Sequence, residues 1–138
     1  MLEILYVEDN PADVFLISTA IKKIDSDLIL TSVGDGEAAL EFLKKSSGQP
    51  CVILLDLGLP RVDGTEVFRA LKSDPKLRDV PTVVFAEREG RRRVESTGHV
   101  PDLFLSKPMD LDGYVTIAKQ IVDLCQPAGA VAQTAVCP

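Results

Sequence analysis

Cys51-Val52-Ile53-Leu54-Leu55-Asp56 decides the fold: an apolar run of strand length that stops on a carboxylate. A strand apolar on both faces belongs in the middle of a parallel sheet with helices on either side. Leu2-Glu3-Ile4-Leu5-Tyr6-Val7 is a second such run, and it leads straight into Glu8-Asp9. Leu103-Phe104-Leu105-Ser106 is a third, ending in Lys107-Pro108. A strand that ends in a charged residue delivers that charge to one edge of its sheet. Two acid-tipped strands side by side would gather Glu8, Asp9 and Asp56 in one crevice. Like charges crowded that way repel unless a cation neutralises them. Hard oxygen ligands with room for water suit Mg²⁺. Lys107 can bring one ammonium to the same edge.

Between these runs the chain alternates short apolar segments with amphipathic ones, the pattern of a parallel α/β sheet. After Leu2–Val7, Asn10 reads as an N-cap with Pro11 at N1 and Asp13 at N3. Val14, Ile17, Ile21 and Ile24 then recur at helical spacing. Leu28–Val33 reads as a second strand. Asp35 caps a second helix carrying Ala39, Leu40 and Leu43, and Gly48 with Pro50 ends it. A loop from Leu57 to Gly64 follows Asp56, and Asp63-Gly64 reads as a turn and helix entry. A helix over about Thr65–Ser73 turns Val67, Ala70 and Leu71 inward. Thr82–Phe85 is the fourth strand. Glu87–Thr97, polar with only Val94 inside, is a weak fourth helix. The last helix starts near Asp110 and carries Leu111, Tyr114, Ala118, Ile121 and Cys125 on one face. Five βα units imply a doubly wound, flavodoxin-like (βα)5 sheet of strand order 2-1-3-4-5, with ligands at the carboxyl ends of the first and third strands.

The chain has 138 residues, enough for one domain with a real core. Residues 1–125 form that domain, and 126–138 a frayed or dimer-associated tail of small and apolar residues. A net charge of −6 argues against nucleic acid as a partner. No apolar run is long enough to span a bilayer, and the start resembles no secretory signal, so a cytoplasmic location is expected. Cys51, Cys125 and Cys137 are odd in number and follow no CxxC spacing. That pattern points to a reducing compartment rather than a disulfide framework, with Cys51 a small core residue. His99 and Arg91-Arg92-Arg93 read as solvated surface. Ile117, Val122, Leu124, Val131 and Val136 exceed what one buried stripe needs, which predicts a homodimer through the fourth and fifth helices or the tail.

Val7-Glu8-Asp9-Asn10-Pro11-Ala12-Asp13, Leu54-Leu55-Asp56-Leu57-Gly58-Leu59-Pro60-Arg61-Val62-Asp63-Gly64 and Ser106-Lys107-Pro108 together resemble a response-regulator receiver domain of two-component signalling. Asn10-Pro11-Ala12-Asp13 and Lys107-Pro108-Met109-Asp110-Leu111-Asp112-Gly113-Tyr114 further resemble the stand-alone receivers that serve bacterial phytochrome histidine kinases. The resemblance implies that Asp56 accepts a phosphoryl group from a partner histidine kinase. It implies that Glu8, Asp9, Asp56 and the backbone carbonyl of Gly58 hold Mg²⁺, and that Lys107 pairs with the phosphoryl group. The bond from Lys107 to Pro108 is often cis in this family. A protein of this kind is a phosphoacceptor rather than an enzyme, beyond gaining and losing its own phosphate.

The family's pattern breaks at two places. Its switch hydroxyl, a Thr or Ser at the end of the fourth strand, aligns with Ala86, and its switch aromatic aligns with Phe104, which has no hydroxyl. Glu87 places an acid at the site's rim. A pseudo-receiver, binding partners without using phosphate, is therefore the competing reading. Two others fit less well. A phosphatase with an Asp nucleophile typically has a second Asp two residues on, where this chain has Gly58. A flavin carrier needs a phosphate-cradling loop, and Glu8-Asp9-Asn10-Pro11 repels phosphate. The chain ends soon after the fifth helix, so output through protein contact is expected rather than output through a DNA-binding module.

Overall fold

The computed structural model describes residues 2–45, 48–58 and 64–125. The expected tail, the possible dimer contacts of Val131 and Val136, and Asp63 lie outside them. Ten elements alternate: β1 (Glu3–Val7), α1 (Pro11–Ile24), β2 (Ile29–Val33), α2 (Gly36–Lys45), β3 (Val52–Asp56), α3 (Gly64–Ser73), β4 (Thr82–Phe85), α4 (Arg88–Glu95), β5 (Leu103–Leu105) and α5 (Leu111–Cys125). The strands form one sheet of order β2-β1-β3-β4-β5, with every pairing parallel. Two helix starts follow from their caps. The Asn10 side chain accepts the Ala12 N–H at 2.9 Å, and Asp35 Oδ1 accepts the Ala38 N–H at 2.8 Å. No helix among the described residues is long and apolar enough to cross a membrane.

The period of two along each strand sorts the core into two layers. Ile4, Tyr6, Val52, Leu54, Val83 and Phe85 face one side, where Ile17 and Ile21 of α1 and Ala118 and Ile121 of α5 cover them. Leu5, Val7, Ile53, Leu55 and Val84 face the other, against Val67, Phe68 and Leu71 of α3 and Val94 of α4. β1 and β3 are buried on both sides, as their unbroken apolar runs require. α4 has little apolar anchoring. It buries only Gly90 and Val94, and one valine contributes about 1.5–3 kcal/mol.

Three expectations are corrected. Ile117 and Val122 are not surplus surface: both are buried in the first core layer, and Leu124 packs against it. The exposed positions of α5 are polar: Asp112, Thr116, Lys119, Gln120 and Asp123. Cys51 and Cys125 are disulfide-bonded, with Cα atoms 4.8 Å apart. They stand 74 positions apart in the chain. What joins them is topology: β3 begins at the pole of the sheet where α5, running antiparallel, ends. The Lys107–Pro108 bond is trans, as are all peptide bonds among the described residues.

Gly64 opens α3 where that helix crosses the exit of β3. A Cβ there would lie 2.5 Å from Leu57 Cα and 2.9 Å from the Asp56 carbonyl oxygen. Backbone atoms cannot yield as a side chain can. Gly64→Ala is therefore expected to destabilise the protein by about 1–3 kcal/mol. A urea midpoint equal to that of the parent chain would show the contact to be softer than it looks.

Candidate functional site

The strand parity that builds the core also builds the site. Ile4 and Tyr6 face α1 and α5, and Glu8 continues their series. Val52 and Leu54 are continued by Asp56, and Leu103 and Leu105 by Lys107. Because β1 pairs with β3 in register, Val7 beside Leu55, the next residues place Glu8 close to Asp56. One carboxylate oxygen from each of Glu8, Asp9 and Asp56 lies within 4.8 Å of the other two. An ion with metal–oxygen bonds of about 2.0–2.1 Å would draw these oxygens in toward one another. The donor set is all oxygen and all acidic, which fits a hard divalent cation.

The three acids differ in setting. The Glu8 side chain is 1% exposed. Its Oε1 accepts from the Tyr6 hydroxyl at 3.2 Å, and its Oε2 accepts from the Asn10 N–H at 3.2 Å. Burial pushes its carboxyl above the ordinary value and the charge of Asp56 adds to that, while Lys107 pulls it back. Burial, with the charge of Glu8, likewise raises the Tyr6 hydroxyl, so it stays a donor. Asp9 is exposed and free to turn toward an ion. Asp56 ends β3, and its Oδ1 accepts from the Gly58 N–H at 3.3 Å. Gly58 lines the same cleft as Asp56 and Lys107.

Lys107 sits among the acids. Its Nζ lies 2.6 Å from Glu8 Oε1, 2.9 Å from Asp13 Oδ2 and 3.4 Å from Asp56 Oδ2. Burial alone would depress this ammonium. Its hydrogen bonds to Asp13 and Glu8 and the charge of Asp56 outweigh that and hold it above its ordinary value. Asp13 was legible in the sequence only as a helix-start acid. Its second oxygen accepts the Tyr114 hydroxyl at 3.4 Å, across to α5. Burial and the Asp13 charge push that hydroxyl up to about 12.

Ala86 and Phe104 belong to the opposite layer, beneath α4. Ala86 still borders the cleft beside Asp56, with Glu87 at the rim as expected. No hydroxyl reaches the cleft from either residue. Arg93 lines that cleft, while its neighbour on α4, Arg91, corrects the reading of the arginine run as wholly solvated. Half-buried, it donates from Nε to the Ala86 carbonyl at 3.1 Å, and its guanidinium lies 5.4 Å from the Phe104 ring centre. Arg92, Arg93 and His99 are exposed.

Comparison with known proteins agrees with this geometry. Residues 4–119 match the family model described as response regulator receiver domain. Response regulator Rcp1 of Synechocystis sp. (strain ATCC 27184 / PCC 6803 / Kazusa) is 35% identical over 127 residues, which span 88% of this chain and 80% of that one. Its Mn²⁺-bound form superposes with a TM-score of 0.75 at 32% identity, covering 88% of this chain and 91% of that one. The phosphorylated cyanobacterial phytochrome response regulator RcpA gives 0.77 at 33% identity, covering 87% and 90%. The bacteriophytochrome response regulator RtBRR gives 0.74 at 33%, covering 90% and 78%. By sequence, strand order and the placing of its acids and lysine, this chain belongs to the response regulator receiver domain family.

Proposed function

We propose that this chain is a phosphoacceptor that takes a phosphoryl group onto Asp56 from a phosphohistidine of a partner histidine kinase. One observation carries the reading: Lys107 Nζ stands within reach of both Glu8 and Asp56, with Asp9 beside them. That arrangement suits phosphoryl transfer, where catalysis is largely positioning and charge neutralisation. An Asp56 oxygen attacks phosphorus as the phosphorus–nitrogen bond breaks, and the imidazole leaves with the electron pair. Asp56 needs no base, because a carboxylate is ionised at neutral pH. Lys107 takes up charge on the phosphoryl oxygens from one side. Glu8, Asp9, Asp56 and the carbonyl of Gly58 would hold Mg²⁺, which supplies neutralisation from the other. The likeness to RcpA and RtBRR supports a phytochrome-class kinase as partner.

The pseudo-receiver reading keeps one specific observation in its favour. With Ala86 and Phe104 both lacking a hydroxyl, the phosphoryl group would gain no side-chain hydroxyl bond from the ends of β4 and β5, and Arg91 already pins the Ala86 carbonyl. Such a bond to a charged group is worth about 1.5–3 kcal/mol. Phosphorylation can then occur while its conformational readout is weakened.

Three outcomes are expected. Incubated with Mg²⁺ and a phosphorylated partner kinase, the chain gains acid-stable, base-labile phosphate that Asp56→Asn abolishes. Label from no kinase would leave the pseudo-receiver reading in place, and label persisting in Asp56→Asn would move the acceptor elsewhere. Ala86→Thr widens the stability gap between phosphorylated and unmodified forms by about 1.5–3 kcal/mol. An unchanged gap in paired denaturation curves would refute the weakened readout.

The third outcome concerns pH. Glu8 is held above the ordinary 4.5, so the folded metal-free protein keeps a proton there that the unfolded chain has released. Its stabilising effect is present at low pH and is lost as pH rises from 4.5 through the raised value. Mg²⁺ competes with that proton. The rise in unfolding temperature on adding Mg²⁺ is accordingly larger at pH 7.5 than at pH 5. A rise independent of pH would place the ion away from Glu8.

A further inference from the structure

Lys107 has three N–H groups and meets three carboxylates. The two short contacts run to Glu8 and Asp13, at 2.6 and 2.9 Å, and the long one to Asp56, at 3.4 Å. The ammonium is therefore gripped from β1 and α1 and only brushes the proposed nucleophile. Asp13 is itself held at both oxygens: Oδ2 accepts from Lys107 and Oδ1 from the Tyr114 hydroxyl. Tyr114 is 1% exposed and fixed in the core by α5, so its hydroxyl is a stationary donor. An acid in the first turn of a helix is favoured by the macrodipole wherever it points. That preference does not account for a carboxylate only 20% exposed and turned across to α5 and Lys107.

We propose that Asp13, steered by Tyr114, is a positioning residue that draws Lys107 back from Asp56 and aims its third N–H at the incoming phosphoryl group. The inference rests on the phosphoacceptor reading above. A four-carbon ammonium side chain is flexible, and its charge attracts whichever acid is nearest. Without the Asp13 charge, Lys107 would lose one of its two short anchors and swing between Glu8 and Asp56. It would then pair with the oxygen that has to attack, and it would have to withdraw before phosphorus could approach. Held by Asp13, it leaves Asp56 exposed to the donor and needs to move only one hydrogen bond once the phosphoryl group arrives. Tyr114 makes the setting depend on how α5 lies against α1.

The test is a double-mutant cycle on the full chain, with acetyl phosphate as donor and saturating Mg²⁺. Asp13→Asn keeps the size and loses the charge. It is expected to lower the maximal rate of Asp56 phosphorylation about tenfold, with the half-saturating donor concentration unchanged. In a Lys107→Ala background the same substitution should have no effect, since its action passes through the ammonium. Tyr114→Phe should cause a smaller fall in the same direction, and Asp13→Glu should restore part of the rate. An Asp13→Asn effect of equal size with and without Lys107, or no effect at all, overturns the proposal. NMR relaxation of the Lys107 Cε group gives a readout independent of phosphate: its order should fall in Asp13→Asn. Should the parent chain take phosphate from neither acetyl phosphate nor a phosphorylated partner kinase, the phosphoacceptor reading fails, and the relaxation measurement still decides whether Asp13 holds Lys107. Unchanged order overturns the positioning role.

Discussion

The structure turns on an excess of negative charge at the carboxyl edge of the sheet. Two unit charges 4 Å apart near a protein surface interact by about 4 kcal/mol. Glu8, Asp9, Asp13 and Asp56 share one such neighbourhood, and Lys107 is the cation among them. One ammonium cannot offset four carboxylates. Among the described residues that touch these acids the negative charge prevails, an arrangement that suits a divalent ion and keeps Lys107 protonated in spite of its partial burial. The sheet makes this possible. β1 and β3 are buried on both faces and lead to Glu8 and Asp56, so a slip in their register would draw a carboxylate into the apolar interior.

Much of this was legible in the sequence for a simple reason. An apolar run that stops on a charge fixes both a strand and the place where its charge emerges. Glu8, Asp56 and Lys107 are each announced that way, and strand order then follows from alternation with helices. The caps at Asn10 and Asp35 were readable because an oxygen-bearing side chain ahead of a helix has few other uses. What stayed hidden depends on contacts between elements far apart in the chain. The partnership of Asp13 with Lys107 spans α1 and the β5–α5 connection, and nothing local to Asp13 separates it from any acid in a first helical turn. Arg91 sits in a run of three identical residues, and only the lie of α4 over Phe104 distinguishes it from its neighbours.

The α5 helix shows the opposite failure. Counting apolar residues suggested a surplus, because the count assumed burial along one stripe. A helix wedged against both the sheet and α1 buries a wider arc, and Ile117 and Val122 fall within it. Breadth of burial is a property of the neighbours and cannot be taken from the helix alone. The same packing brings the end of α5 to Cys51.

That last contact divides the chain in an unexpected way. The bridge from Cys51 to Cys125 closes a covalent ring through β3, α3, β4, α4, β5 and α5. The segment before it, β1 through α2, stays outside the ring and is held by packing and hydrogen bonds. Under tension applied between the two ends, the ring cannot lengthen, so the strain falls on the junction between β1 and β3. The half that carries Glu8, Asp9 and Asp13 would peel away from the half that carries Asp56 and Lys107, and the acidic edge would come apart along its own midline.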